Sequence, residues 1–313
     1  MDHVNYLITG ATGDTGGAAA RQLLAKGARV RAVAHSEDER TQRLRDLGAE
    51  VVVADFLDFD SIRLAAKGMN RAYFCYPIRP GIIQASAYFA QAAKEAGIDG
   101  IVNMSQKTAR PEAKSHASQD HWLAERVFDW SGVTVAHIRP TYFAEWLLYL
   151  SPMIKAGILH VPFGPGRHAP ITAEDQARVV VGILQDPAAH AGKAYSLYGP
   201  KEFTYSEMAD LLSRKLGKPV QYKRVSFDEM LAIMSGGGGP RPGGHSSRNL
   251  YGEFGPDRPK AVGNSFTIQH LREVAIDHDN GVFAGTNDYV ESIGGQPPTT
   301  LETFIDANRV AFT

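Results

Sequence analysis

Apolar residues in the first half of the chain come in short runs separated by amphipathic stretches. The runs are Tyr6–Ile8, Val30–Ala34, Val51–Ala54, Ala72–Tyr76, Ile101–Met104 and Val133–Ile138. Each is too short for a helix, and none alternates cleanly, so each predicts a strand covered on both faces. Between them, 41–47, 59–68, 82–96 and 118–131 carry helical spacing, and Ala18–Lys26 predicts a helix closed by Gly27. Strands alternating with helices predict a parallel sheet. Right-handed crossovers make it a doubly wound α/β fold of the Rossmann type.

Beyond about residue 150 the pattern changes. The stretch 160–170 is rich in Pro and Gly and predicts a loop. Helices are predicted over Ala173–Leu184 with Thr172 as cap, and over Tyr205–Leu216 with Thr204 as cap. Tyr195–Tyr198 predicts a strand, and Ile268–Asp277 and Thr299–Ala311 predict helices. Segment 235–264 is dominated by Gly, Pro, Arg and Asn, which predicts either a lid or a surface insertion. The expected division is a cofactor-binding Rossmann domain at 1–150 and a smaller α+β, mainly substrate-binding region at 151–313. A strand near 194–199 is a candidate to return to the main sheet.

Composition narrows the function classes. The 313 residues carry 33 Lys and Arg against 34 Asp and Glu, so neither nucleic acid nor a membrane surface is the expected partner. Cys75 is the only cysteine, which excludes an intramolecular disulfide and a cysteine-built zinc site. No metal is expected. No apolar run is long enough to span a bilayer, and the first residues lack a signal pattern, so a cytoplasmic location is expected. A monomer and a homodimer both suit the composition.

The chemistry begins at Gly10-Ala11-Thr12-Gly13-Asp14-Thr15-Gly16. A strand precedes this turn and a helix follows it. Without Cβ atoms, Gly10, Gly13 and Gly16 allow a tight turn, close approach to a pyrophosphate, and close helix–strand packing. Free N–H groups and the positive dipole end of the helix then meet the phosphates, with Thr12 and Thr15 as extra donors. A kinase-type loop is disfavoured, because no Gly-Lys-Ser/Thr follows.

An NAD-specific site carries an acid near the end of the second strand. Here that position reads Ala34-His35-Ser36. His35, Ser36 and Arg40 suit a 2′-phosphate, so NADP(H) is expected over NAD(H). Ser36 equally suits a helix cap completed by Glu39. Asp55 either meets the adenine or caps the next helix.

Further segments carry a family resemblance. They are Asp55-Phe56, Ser131-Gly132-Val133 leading to Arg139-Pro140, Glu174-Asp175-Gln176-Ala177, Thr204-Tyr205-Ser206-Glu207-Met208, and the tail Gly294-Gly295-Gln296-Pro297-Pro298. Together with the glycine turn they resemble the NmrA-like branch of atypical short-chain dehydrogenases/reductases, over nearly the whole chain. That branch includes flavin-free azo-dye reductases, quinone reductases, and regulators that bind the cofactor without turnover. The resemblance implies an NADPH-dependent reduction of an azo bond or a quinone without flavin. Its alternative is an NADP(H)-binding sensor. It also implies that Tyr76, Pro77 and Ile78 border the middle of the cofactor, and that Thr141, Tyr142 and Phe143 flank the nicotinamide.

Ordinary short-chain dehydrogenases use a Tyr-x-x-x-Lys pair, and none of the twelve tyrosines here has Lys four places on. His121 is the expected proton donor, because its ordinary pKa lies near neutrality; otherwise it packs or bonds Glu125. Tyr142 is the second candidate catalytic side chain. Ser105 and Lys107 are candidate contacts to the cofactor, or a strand end and a solvated lysine. Trp146 and Phe163 are candidates to stack on a small aromatic substrate, against the alternative of core packing. Arg241, His245 and Arg248 offer a contact for an anionic substituent.

Overall fold

The computed structural model describes residues 4–236 and 265–313. Most of the Gly-rich segment, with Arg241, His245 and Arg248, lies outside the described residues. Nine strands are described: β1 (Asn5–Ile8), β2 (Arg29–Ala34), β3 (Glu50–Val53), β4 (Arg71–Phe74), β5 (Gly100–Met104), β6 (Val135–Pro140), β7 (Ile158–Val161), β8 (Ala194–Leu197) and β9 (Gln221–Arg224). Between and after the first six strands lie α1 (Asp14–Ala25), α2 (Glu39–Asp46), α3 (Phe59–Ala66), α4 (Ile82–Ala96), α5 (His116–Trp130), α6 (Trp146–Tyr149) and α7 (Ser151–Lys155). The remaining helices are α8 (Ala173–Gln185), α9 (Tyr205–Leu216), α10 (Phe227–Gly236), α11 (Ser265–Asp279), α12 (Tyr289–Gly294), α13 (Leu301–Ala307) and α14 (Arg309–Phe312).

Seven strands form one sheet in the order β3-β2-β1-β4-β5-β6-β8, and every described pair is parallel. The apolar runs explain it: β5 is buried at all five positions, as a strand between two helix layers must be. One core lies between the sheet and α1, α8 and α12, and another between the sheet and α3, α4 and α5. The chain is therefore doubly wound. A third core lies in the C-terminal region, around α6, α7, α9 and α13. A small parallel pair, β7 with β9, accompanies it.

Several elements differ from expectation. β7 occupies part of the expected 160–170 loop. α1 starts at Asp14, four residues before the expected helix, because Gly16 and Gly17 let its first turn lie against the carbonyls of Gly10 and Ala11. The helix expected over Thr299–Ala311 breaks at Asn308 into α13 and α14. β8, from beyond residue 150, pairs with β6, and α8 packs against α1.

The cap of α2 is Asp38. Its carboxylate accepts the N–H groups of Arg40 and Thr41, and the Thr41 hydroxyl receives Asp38 N–H at 3.0 Å. Ser36 is therefore not the cap, and Glu39 is the first residue of the helix. Asp55 does not cap α3 either. Asp58 does so, while Asp55 accepts the Leu57 N–H at 2.9 Å.

Candidate functional site

Chain order β3 to β4 jumps across the sheet, so strand order reverses between β1 and β4. That switch point opens a crevice at the carboxyl ends of the strands. The glycine turn stands at its edge. Gly10 adopts φ +59°, a left-handed conformation that suits glycine, and a Cβ there would meet Cys75 Cβ at 3.4 Å. Gly13 donates its N–H to Gly10 O at 2.9 Å and caps α1. A Cβ on Gly16 would lie 2.4 Å from Gly10 O and 2.8 Å from Thr9 O, so no side chain fits. Thr9 accepts Cys75 N–H at 2.8 Å and ties the turn to the end of β4. The turn is thus bare backbone at the start of a helix, a cradle that suits a pyrophosphate.

The neighbouring strand ends supply polar groups. Ser105 follows β5 and Thr141 follows β6. Both are 3% exposed, and neither hydroxyl has a hydrogen-bond partner among the described residues. A buried hydroxyl without a partner is costly unless a ligand meets it. Lys107 reaches across to Ser196 Oγ at 3.3 Å and lies over the Tyr198 ring. It is therefore tied to β8 rather than solvated. Tyr76 is buried, with its hydroxyl bonded to Pro80 O and approached by Arg79; Pro77 and Ile78 are half-buried beside it. Phe56 packs edge-on against Phe74 and Tyr76. Phe143 is half-buried and bridges to Ile171.

At the end of β2, His35 and Ser36 are exposed. The nearby acids are engaged: Glu37 by Arg45, and Asp38 by Arg40 and the cap of α2. Arg31 is turned away onto Glu50 and the carbonyls of Ala65 and Lys67. Beside the glycine turn lies a cavity of about 590 Å³, lined by Thr12, Gly13 and Asp14, by Arg40 and Arg43, and by Glu145. The structure brings only Thr12, Gly13, Asp14 and Arg40 of the expected residues into this cavity. The Thr15 hydroxyl instead bonds Gln176 Oε1 of α8 at 3.1 Å.

Glu145 is a site residue that the sequence reasoning missed. Its signal was an acid alone in the apolar stretch Phe143–Leu150. Oε1 accepts the Ala173 N–H at 2.9 Å, while Oε2 has no hydrogen-bond partner among the described residues. Burial, with Asp14 and Asp175 nearby, pushes its carboxyl up to about 7. Burial pushes Asp14 up to about 6, against the pull of Arg21.

The expected catalytic and stacking residues are placed differently. His121 is buried, and neither ring nitrogen has a hydrogen-bond partner among the described residues. Burial, with His270 nearby, pushes its imidazole down to about 3, so at neutral pH it is uncharged. Glu125 does not bond His121; it receives Arg139 Nε at 2.7 Å. Tyr142 lies in the C-terminal core, 4.5 Å from the Phe283 ring and 4.7 Å from His168. Phe163 stacks on Tyr205 at 4.6 Å. Trp146 is half-buried and meets Tyr142 edge-on. Among the described residues no group of three His, Cys, Asp or Glu is placed to hold a metal, and no helix is long and apolar enough to cross a membrane.

A doubly wound sheet with a bare glycine turn at its switch point defines a dinucleotide-fold protein. Within that class the chain matches the NmrA-like family over residues 4–248, and it belongs to that family. It is 26% identical over 309 residues to the NAD(P)H azoreductase of Xenophilus azovorans, covering 98% of each chain. It is 30% identical over 226 residues to a Streptomyces griseus (4-alkanoyl-5-oxo-2,5-dihydrofuran-3-yl)methyl phosphate reductase, covering 71% of this chain and 77% of that one. Its fold matches the crystal structure of the Escherichia coli NADPH-dependent quinone oxidoreductase complexed with NADPH. The TM-score is 0.79 at 21% identity, over 98% of this chain and all of that one.

Proposed function

We propose that the protein is an NADPH-dependent reductase that delivers hydride to a small electron-poor aromatic acceptor, an azo compound or a quinone, without flavin. The observation that carries this reading is the bare glycine turn at the switch point, with the unbonded, buried hydroxyls of Ser105 and Thr141 at the carboxyl ends of β5 and β6 on the same edge of the sheet. Likeness along the whole chain to an azoreductase supports the acceptor class. The cofactor, when bound, supplies the hydride. The chain's own residues bind and orient it. Gly10 to Gly16 and the first turn of α1 receive the pyrophosphate, and Ser105 and Thr141 donate hydrogen bonds toward the nicotinamide end. His35, Ser36 and Arg40 favour a 2′-phosphate, since the acids beside them are already engaged. His121 is neutral at physiological pH, which favours solvent as the proton source.

A second reading, a cofactor-binding regulator without turnover, is favoured by the sealing of Tyr142 and Phe163 in core. One experiment separates the two. Loss of NADPH absorbance is followed on mixing with a panel of azo dyes, quinones and imines. Turnover with at least one acceptor is expected. NADPH binding with no turnover on any of them would overturn the reductase and support the regulator. Equal affinity for NADH and NADPH would overturn the cofactor preference.

A further inference from the structure

Asp14 is the first residue of α1, where the anionic part of a dinucleotide arrives, and it is half-buried. Glu145 lies after β6 and is 8% exposed. Both line the same cavity, and burial first, with the Asp14 charge adding to it, disfavours ionisation of Glu145. The Ala173 N–H satisfies one oxygen of Glu145; the other has no hydrogen-bond partner among the described residues.

The charges that face the pair come from four elements. On α1, Arg21 attracts Asp14 and also bonds Glu174 of α8. On α8, Asp175 faces Glu145 and is itself held by Arg178 and Thr299. On α2, Arg40 and Arg43 line the same cavity, with Arg40 held by Asp38 and Arg43 lying 3.6 Å from Glu39. The tail that carries α13 brings only Thr299, Thr303, Phe304, Ala307 and Asn308 to the cavity. No cation bonds Glu145 among the described residues, so its charge is balanced most simply by a proton.

We propose that Asp14 and Glu145 form a proton-holding pair beside the glycine turn, so that the dinucleotide binds with uptake of a proton from solvent. This rests on the cofactor reading above. A pyrophosphate at the start of α1 adds negative charge beside two carboxyl groups whose ionisation burial already disfavours. The protein responds by protonating a carboxylate, and the neutral acid then carries an O–H able to donate to a phosphate oxygen. The balance is simple: one carboxylate, one proton and the free dinucleotide become one carboxylic acid in the complex.

The sign follows from linkage. Burial raises the free carboxyls, to about 6 for Asp14 and about 7 for Glu145, and the negative charge of a bound phosphate would raise them further. Above about pH 7 the complex therefore holds more protons than the free protein. Affinity falls as pH rises, by up to about tenfold per unit for one proton taken up. A 2′-phosphate on the ligand titrates near 6 and acts in the opposite sense. NADH lacks that group and is the cleaner probe.

Calorimetric titration of the full chain with NADH and with NADPH at about pH 7.5, in phosphate and in Tris, reads proton uptake directly. Between about half a proton and one proton is expected, with Kd rising from pH about 7 to 8.5. Asp14→Asn and Glu145→Gln together should flatten that rise. Equal heats in the two buffers, or uptake that survives both substitutions, would overturn the pair. If the variants fail to fold, the wild-type buffer comparison decides alone. Uptake with tight binding supports both readings; binding without uptake spares the cofactor reading and removes the pair. Failure of either dinucleotide to bind at any pH would remove the cofactor reading and the pair together.

Discussion

Gly16 is the tightest point of the glycine turn. An added Cβ would press on backbone carbonyls at 2.4 and 2.8 Å, and backbone cannot step aside as a side chain would. Gly16→Ala should therefore cost about 1–3 kcal/mol of stability. It should also weaken NADPH binding at least about tenfold, read by urea denaturation and by fluorescence titration. Unchanged binding would mean that the turn does not cradle the cofactor. At this scale the glycines were legible, because a bare turn between strand and helix is a local demand on residue type. The state of His121 was not. Its ordinary pKa is a property of the residue, but its position of about 3 comes from burial and from His270, on the distant α11. The raised carboxyl of Asp14 was equally out of reach, because burial in the folded chain is its main cause.

Elements were legible where both local chemistry and periodicity agreed. Thr204 and Glu207 form the capping box of α9, with Thr204 accepting Glu207 N–H at 3.2 Å and Glu207 receiving Thr204 N–H at 2.8 Å. Thr204→Ala should cost about 1 kcal/mol, measurable by chemical denaturation, with NADPH affinity unchanged. A loss of affinity instead would tie α9 to the site. The start of α2 was ambiguous, since Ser36 and Asp38 both suit a cap. The register that starts at Glu39 buries Thr41 and Leu44, and that packing selects Asp38. β9, reading Gln-Tyr-Lys-Arg, has no apolar run to announce it; among the described residues its one ladder partner is β7. Polar edge strands are defined by pairing, which spacing along the chain does not reveal.

At the scale of the whole molecule, buried histidines set the acid limit. His121, His137, His168, His270 and His278 are all buried, and burial pushes each below its ordinary value, to about 3 for His121 and about 4 for His270. The unfolded chain takes up these protons near 6.5, whereas the folded chain does not. Stability present at neutral pH is therefore lost as pH falls below about 6.5 toward the folded values. Asp14, Asp120 and Glu145, with raised values, oppose this over part of the range, but three carboxyls face five imidazoles. The urea midpoint should fall steadily from pH about 7 to 5. A flat profile would show that the imidazoles are not held neutral.

The sequence by itself determined the sheet, its helix layers and the place of the glycine turn, because strand runs, helical periods and glycine positions are properties of neighbouring residues. It also indicated the family. Tertiary structure decided the rest. It directed Thr15 to Gln176, Lys107 to Ser196 and Glu125 to Arg139, and it drew Tyr142 and Phe163 into core. It also placed Glu145 beside Asp14. A side chain's chemistry depends on partners far away in the chain, and those partners exist only once the chain has folded.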